Sequence, residues 1–158
     1  RIVSGYTYEG VVVPQIQYLG SSALALRDDG FTLYSGRQIP KETQTIKVEK
    51  EIVSTFYDED TIGLVFKNDS KDKLYTMQVY STSGKLKFSK DFNIPYSTIR
   101  MSDGYIVMYN SSQICVLNKN GTEKYFGNID GTVKDFFKFG WNKYLLVLDT
   151  GVNVIKLS

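Results

Sequence analysis

Short apolar runs recur along the chain, each closed off by residues that favour tight turns. Ala23-Leu24-Ala25-Leu26, Ile62-Gly63-Leu64-Val65-Phe66, Tyr105-Ile106-Val107-Met108-Tyr109 and Tyr144-Leu145-Leu146-Val147-Leu148 are too short for helices and sit between clusters of Gly, Asp, Asn and Ser. Runs of that length in that setting predict buried strands. Each leads through a turn into a second strand, the turns being Asp28-Asp29-Gly30, residues 68–73, Asn110-Ser111-Ser112 and Asp149-Thr150-Gly151. A further strand precedes each run, at residues 14–19, 52–57, 97–101 and 133–139, and ends in a turn of its own. A third hairpin turn follows at Ser35-Gly36-Arg37, Ser83-Gly84-Lys85 and Asn120-Gly121-Thr122. No longer stretch carries the period of about 3.6 residues that marks an amphipathic helix.

The turns recur about every 40 residues, the spacing of one propeller blade. Each unit is a meander of antiparallel strands, A to D, and a lone sheet of this kind cannot bury both faces unless neighbours stack on it. The sequence therefore predicts an all-β fold of β-propeller (WD40/PQQ-like) blades, each a four-stranded antiparallel sheet, in a single region spanning residues 1–158. About four blades are expected: residues 11–50, 51–93, 94–130 and 131–158, the last lacking its D strand, with residues 1–10 as a separate D-type strand. Two arrangements follow. Either residues 2–8 complete the last unit within a compact ring, or the chain is roughly half of a seven- or eight-bladed propeller. The half-propeller is the expectation, paired with a missing N-terminal half or with a second copy, because an end blade would otherwise expose an apolar face and a sheet edge. The WD and PQQ-enzyme signatures are absent, so period and turn pattern carry the prediction.

Composition sharpens the picture mainly by exclusion. With 12 Tyr and 9 Phe but only two alanines, usage favours pleated sheet. Lys and Arg total 19 against 17 Asp and Glu, spread evenly, which is no nucleic-acid footprint. There is no histidine, which removes Ser-His-Asp triads and His-ligated metals, and the single Cys115 excludes an internal disulfide. No run of about 18 apolar residues is present to form a membrane helix. No cofactor is expected.

Certain wording along the strands is familiar. The run Ser4-Gly5-Tyr6-Thr7-Tyr8-Glu9-Gly10-Val11-Val12-Val13-Pro14-Gln15-Ile16, then Asp29-Gly30-Phe31 and Tyr34-Ser35-Gly36, and finally Val152-Asn153-Val154-Ile155-Lys156-Leu157, resembles an uncharacterised domain-of-unknown-function family of Gram-positive bacteria. The resemblance implies the C-terminal half of a membrane-anchored, extracytoplasmic propeller protein, with its anchor and further blades upstream of Arg1. It implies no catalytic residue.

Candidate chemistry is sparse. Asp58-Glu59-Asp60 and residues 68–73 are rich in oxygen ligands but lack the order of a calcium loop, and both are expected as solvated turns. Cys115 lies mid-strand with no basic neighbour in sequence and is expected buried and inert. Trp141, near Phe136, Phe137 and Phe139, is expected to fill a contact between blades. Two functions remain. A non-catalytic binding or scaffold module would present the B–C and D–A loops, with Asp28, Asp29, Asn68, Asp69, Lys71, Tyr96, Asn110 and Asp130, to a protein or cell-wall glycan. A carboxylate-dependent glycosidase or lyase would need paired carboxylates in a cleft at the propeller channel. The binding module is the favoured expectation.

Overall fold

The apolar runs become the second strand of each sheet, and the turn residues fall between strands. In the computed structural model, which describes residues 15–157, four antiparallel sheets follow one another along the chain. The first holds β1 (Gln15–Leu19), β2 (Ser22–Arg27), β3 (Gly30–Ser35) and β4 (Lys41–Lys47). The second holds β5 (Ile52–Tyr57), β6 (Thr61–Lys67), β7 (Tyr75–Ser81) and β8 (Leu86–Phe92). The third holds β9 (Thr98–Ser102), β10 (Tyr105–Tyr109), β11 (Gln113–Leu117) and β12 (Glu123–Asn128). The fourth has three strands, β13 (Val133–Gly140), β14 (Lys143–Leu148) and β15 (Gly151–Lys156). Every sheet is a meander in chain order. The predicted strand at residues 1–10, its exchange through residues 2–8 and the start of the first unit at residue 11 lie outside the described residues.

The cores lie between sheets. Leu24, Leu26, Phe31 and Leu33 meet Ile62, Leu64 and Phe66; Val65, Met77 and Val79 meet Ile106, Met108 and Leu117; Val107, Ile114 and Val116 meet Phe136, Tyr144 and Leu146. The middle strands of an inner sheet are therefore apolar on both faces, and each fully buried Leu, Ile, Val or Phe contributes about 1.5–3 kcal/mol. Gly63 interrupts one apolar run because a Cβ there would lie 2.0 Å from Cζ of Phe56. The first strands gather on the inside, β9 beside both β5 and β13. The last strands β4, β8 and β12 lie on the outside and are rich in exposed polar and charged residues, which discourages pairing at their free edges.

The fourth sheet departs from this economy. Val133, Phe136, Tyr144 and Leu146 face the third sheet, which leaves Phe137, Phe139, Leu145, Val147, Val152 and Val154 on the opposite side. Val152 and Val154 are each 61% exposed, and β15 has no strand on its outer edge among the described residues. Ile16 and Tyr18 on β1 are also exposed. Among the described residues, no core cluster joins the first sheet to the fourth. Trp141 corrects the expectation made for it: it is 89% exposed at the β13–β14 turn. A register shift between Lys138 and Gly140, followed by Asn142 at φ 54°, carries the chain out of the sheet just where Trp141 stands. Of that aromatic group only Phe136 is fully buried between sheets.

Candidate binding face

The turns after β2, β6, β10 and β14 and the linkers after β4, β8 and β12 share one end of the sheets. Hydrogen bonds latch the linkers onto the turns. Val48 N donates to Asp29 O (2.8 Å), Ile129 N to Ser112 O (2.7 Å) and Val133 N to Ser111 O (2.8 Å). In the second sheet Leu74 N donates to Asn93 Oδ1 (3.0 Å), whose Nδ2 donates to Asp72 O (2.8 Å). Backbone groups that would be left unpaired in loops are paired instead, and this end of the sheets is held in one shape.

Half of the residues expected on this face help to build it. Asp29 accepts two bonds of 2.8 Å from Nε and Nη2 of Arg27, a guanidinium that is 5% exposed and also donates to Thr32 Oγ1 (3.2 Å). A buried guanidinium is tolerated when met by such a fork. Asn68 donates to Thr76 Oγ1 (2.9 Å) and accepts from Ser70 N (2.8 Å). Asn110 accepts from Ser112 N and Gln113 N and donates to Pro95 O (3.2 Å). Tyr96 packs 5.0 Å from the Tyr75 ring and donates to Ser54 Oγ (2.6 Å). Burial pushes its phenol above the ordinary range, the Ser54 bond acting against that and Tyr75 adding to it. Asp28, Asp69, Lys71 and Asp130 are exposed. Asp69 lies 3.2 Å from Lys50 with both side chains in solvent, a pairing of about 0–1 kcal/mol.

At the opposite end, Asp58, Asp60 and Asp103 border a depression of about 390 Å³. Asp58 Oδ1 accepts from Asp60 N (2.8 Å), closing the turn, and Asp103 is taken up by Lys138. Lys138 is 8% exposed; its ammonium also donates to Gly140 O (2.7 Å) and lies 4.9 Å from the Tyr105 ring centre. A second pair joins inner strands: Arg100 Nη2 donates to Asp135 Oδ1 (2.8 Å) and Phe136 O (2.9 Å). Sequence reading missed both pairs, whose members are 35 residues apart in each case. The one available signal was a run of charges, Lys134, Asp135 and Lys138, inside a strand that also carries Val133, Phe136, Phe137 and Phe139. Among the described residues no group of three or more His, Cys, Asp or Glu could hold a metal ion.

Cys115 is buried, and burial above all, with Glu123 adding and Lys90 opposing, pushes its thiol from 9.0 up to about 12. Since the folded value lies above the unfolded one, its contribution to stability is complete below about pH 9 and is lost as pH rises towards about 12. Iodoacetamide at mildly alkaline pH is expected to leave the folded chain unmodified over the time in which the denaturant-unfolded chain reacts fully. Comparable rates, followed by intact mass, would contradict this burial.

Residues 1–157 match the family described as Family of unknown function (DUF5711). The chain belongs to this family. No curated protein matches the DUF5711 chain in sequence. Its fold is that of solved β-propellers. BamB from Moraxella catarrhalis is 12% identical with a TM-score of 0.60, covering 95% of this chain and 48% of its own. The WD40 β-propeller domain of Doa1 is 14% identical with a TM-score of 0.57, covering 95% and 57%. BBS1N, solved in complex with ARL6DN, is 9% identical with a TM-score of 0.55, covering 92% and 50%. The DUF5711 chain spans about half the length of these propellers.

Proposed function

We propose that this chain is a non-catalytic binding or scaffold module that presents its latched loop face to a protein or cell-wall glycan on the extracytoplasmic side of a bacterial envelope. The supporting observation is the latching itself. Linkers and turns are fixed by internal hydrogen bonds, while Asp28, Asp69, Lys71 and Asp130 project into solvent from that fixed frame. A preformed polar face spends little ordering entropy on binding, and charges of both signs give it specificity. Asp29, Asn68, Tyr96 and Asn110 serve as the frame. BBS1N, solved in complex with ARL6DN, is consistent with this role, and the family resemblance is the ground for proposing an envelope location with an upstream anchor.

The blades at residues 11–50, 51–93, 94–130 and 131–158 act in this proposal as half of a seven- or eight-bladed ring, completed by an N-terminal half or a second copy. The open apolar side of the fourth sheet and the half-length match to solved propellers support it.

Affinity capture from a bacterial envelope fraction, and co-sedimentation with purified cell wall, compare the chain with the variant Asp28→Lys/Asp69→Lys/Asp130→Lys. A partner held by the chain and lost by about tenfold or more with the variant is the expected result. Equal retention by the variant overturns the loop face as the binding surface. Carbohydrate cleavage by the parent chain, abolished by Asp103→Asn with the fold intact by circular dichroism, overturns the non-catalytic reading.

A further inference from the structure

Between the outer parts of successive sheets lie clefts, and one of about 530 Å³ lies between β8 and the face of β11 and β12. Its composition differs from that of its counterpart one junction earlier. In the second sheet the row Phe66–Thr76–Asp91 runs outward across the face, and Thr76 donates to Asp91 (2.7 Å). The equivalent row of the third sheet is Met108–Cys115–Phe126. Where one blade ends in a hydrogen-bonded carboxylate, the next ends in a phenyl ring that is 46% exposed. Phe126, Cys115 and Met108 thus form an apolar strip inside a cleft whose remaining lining is largely polar.

Charge around this strip is one-sided. Lys90 pairs with Met77, a residue of the core between the second and third sheets, so its side chain is on the cleft side of β8. Lys73 joins it from the loop after β6, whereas Asp91 is turned to the other face by Thr76. Glu123 stands on the opposite wall. Among the described residues none of Lys73, Lys90 and Glu123 makes an ion pair.

We propose that this cleft docks an extended peptide segment of a partner protein, which seats a Leu- or Phe-sized side chain against Phe126, Cys115 and Met108 and turns a neighbouring acidic residue towards Lys73 and Lys90. An apolar anchor that is desolvated on binding supplies the affinity of such a contact. The two lysines attract an acidic neighbour, and Glu123 repels one placed on the far side, which fixes the direction of the segment. The proposal rests on the reading of the chain as a binding module, but its anchor residues Phe126, Cys115 and Met108 lie in strands, in a cleft that borders the loop face at Lys73 and Asn93.

Random peptides displayed on phage, selected on the intact chain, provide the test. Enriched sequences are expected to share an apolar residue next to Asp or Glu. A synthetic enriched peptide, followed by fluorescence anisotropy, should bind about tenfold or more weakly to Phe126→Ser and to Lys90→Glu. Leu86→Ser, an exposed position on β8 outside the cleft, should bind as the parent does. Absence of enrichment, or undiminished binding to Phe126→Ser with the fold intact by circular dichroism, overturns the groove. Binding lost instead in Asp28→Lys/Asp130→Lys also overturns it, while leaving the loop-face reading in place.

Discussion

Asp103→Asn is expected to destabilise the chain by about 2–3 kcal/mol in urea denaturation, although Asp103 itself lies at an exposed turn. The reason is on the other side of the pair. The Lys138 side chain is 6% exposed and its ammonium is enclosed by Asp103, the Gly140 carbonyl and the Tyr105 ring. Removing the carboxylate leaves a positive charge at the boundary between the third and fourth sheets with dipoles but no counter-charge. Asn is the informative replacement, because position 103 has φ 48°, a conformation that Asn tolerates and Ala does not. Lys138→Met keeps the stem and removes the charge, so it should stay within about 1 kcal/mol of the parent. Combining the two should recover most of the loss, giving a coupling of about 2 kcal/mol in the cycle. An Asp103→Asn variant indistinguishable from the parent would show the ammonium to be satisfied without its partner.

What the sequence made legible follows from local physics. Hairpin turns and short apolar runs are decided within a few residues, so Asp28-Asp29-Gly30 and Ser102-Asp103-Gly104 fall where strands reverse, between β2 and β3 and between β9 and β10. Cys115 could be placed in a core because both of its neighbours, Ile114 and Val116, are apolar too. What escaped depends on register between sheets. No spacing rule announces that Lys138 reaches Asp103, or that Arg100 reaches Asp135, because stacking of blades sets those distances. Nearness in sequence to Phe136, Phe137 and Phe139 does not place Trp141 beside them, because the irregularity between Lys138 and Gly140 carries it out of the sheet. The loop face was legible as an address but not as a set of roles. Asn68 and Asn110 look like contact residues in sequence, and only the hydrogen bonds reveal them as parts of the frame.

The chain alone in solution is expected to associate, and Val152→Lys/Val154→Lys is expected to weaken that association by a hundredfold or more. Leu145 pairs with Val154, and Val147 with Val152, so these side chains form adjacent rows on the face of the fourth sheet that no other sheet of the described residues covers, extended by Phe137 and Phe139. An apolar sheet face beside an unpaired edge is the combination that natural proteins avoid leaving in water. Two arcs related by a two-fold axis would cover both ends with one contact type and close, whereas a head-to-tail contact that failed to close would grow into polymers. Two lysines in the middle of such a contact must be desolvated without partners, a cost of several kcal/mol that accounts for the expected hundredfold or greater loss. Sedimentation velocity over a wide concentration range separates the outcomes. A discrete dimer that dissociates in the variant supports the half-ring. A monomer of 18.0 kDa throughout, for parent and variant alike, would mean that this face is stable in water by itself and would remove the reason for a partner arc.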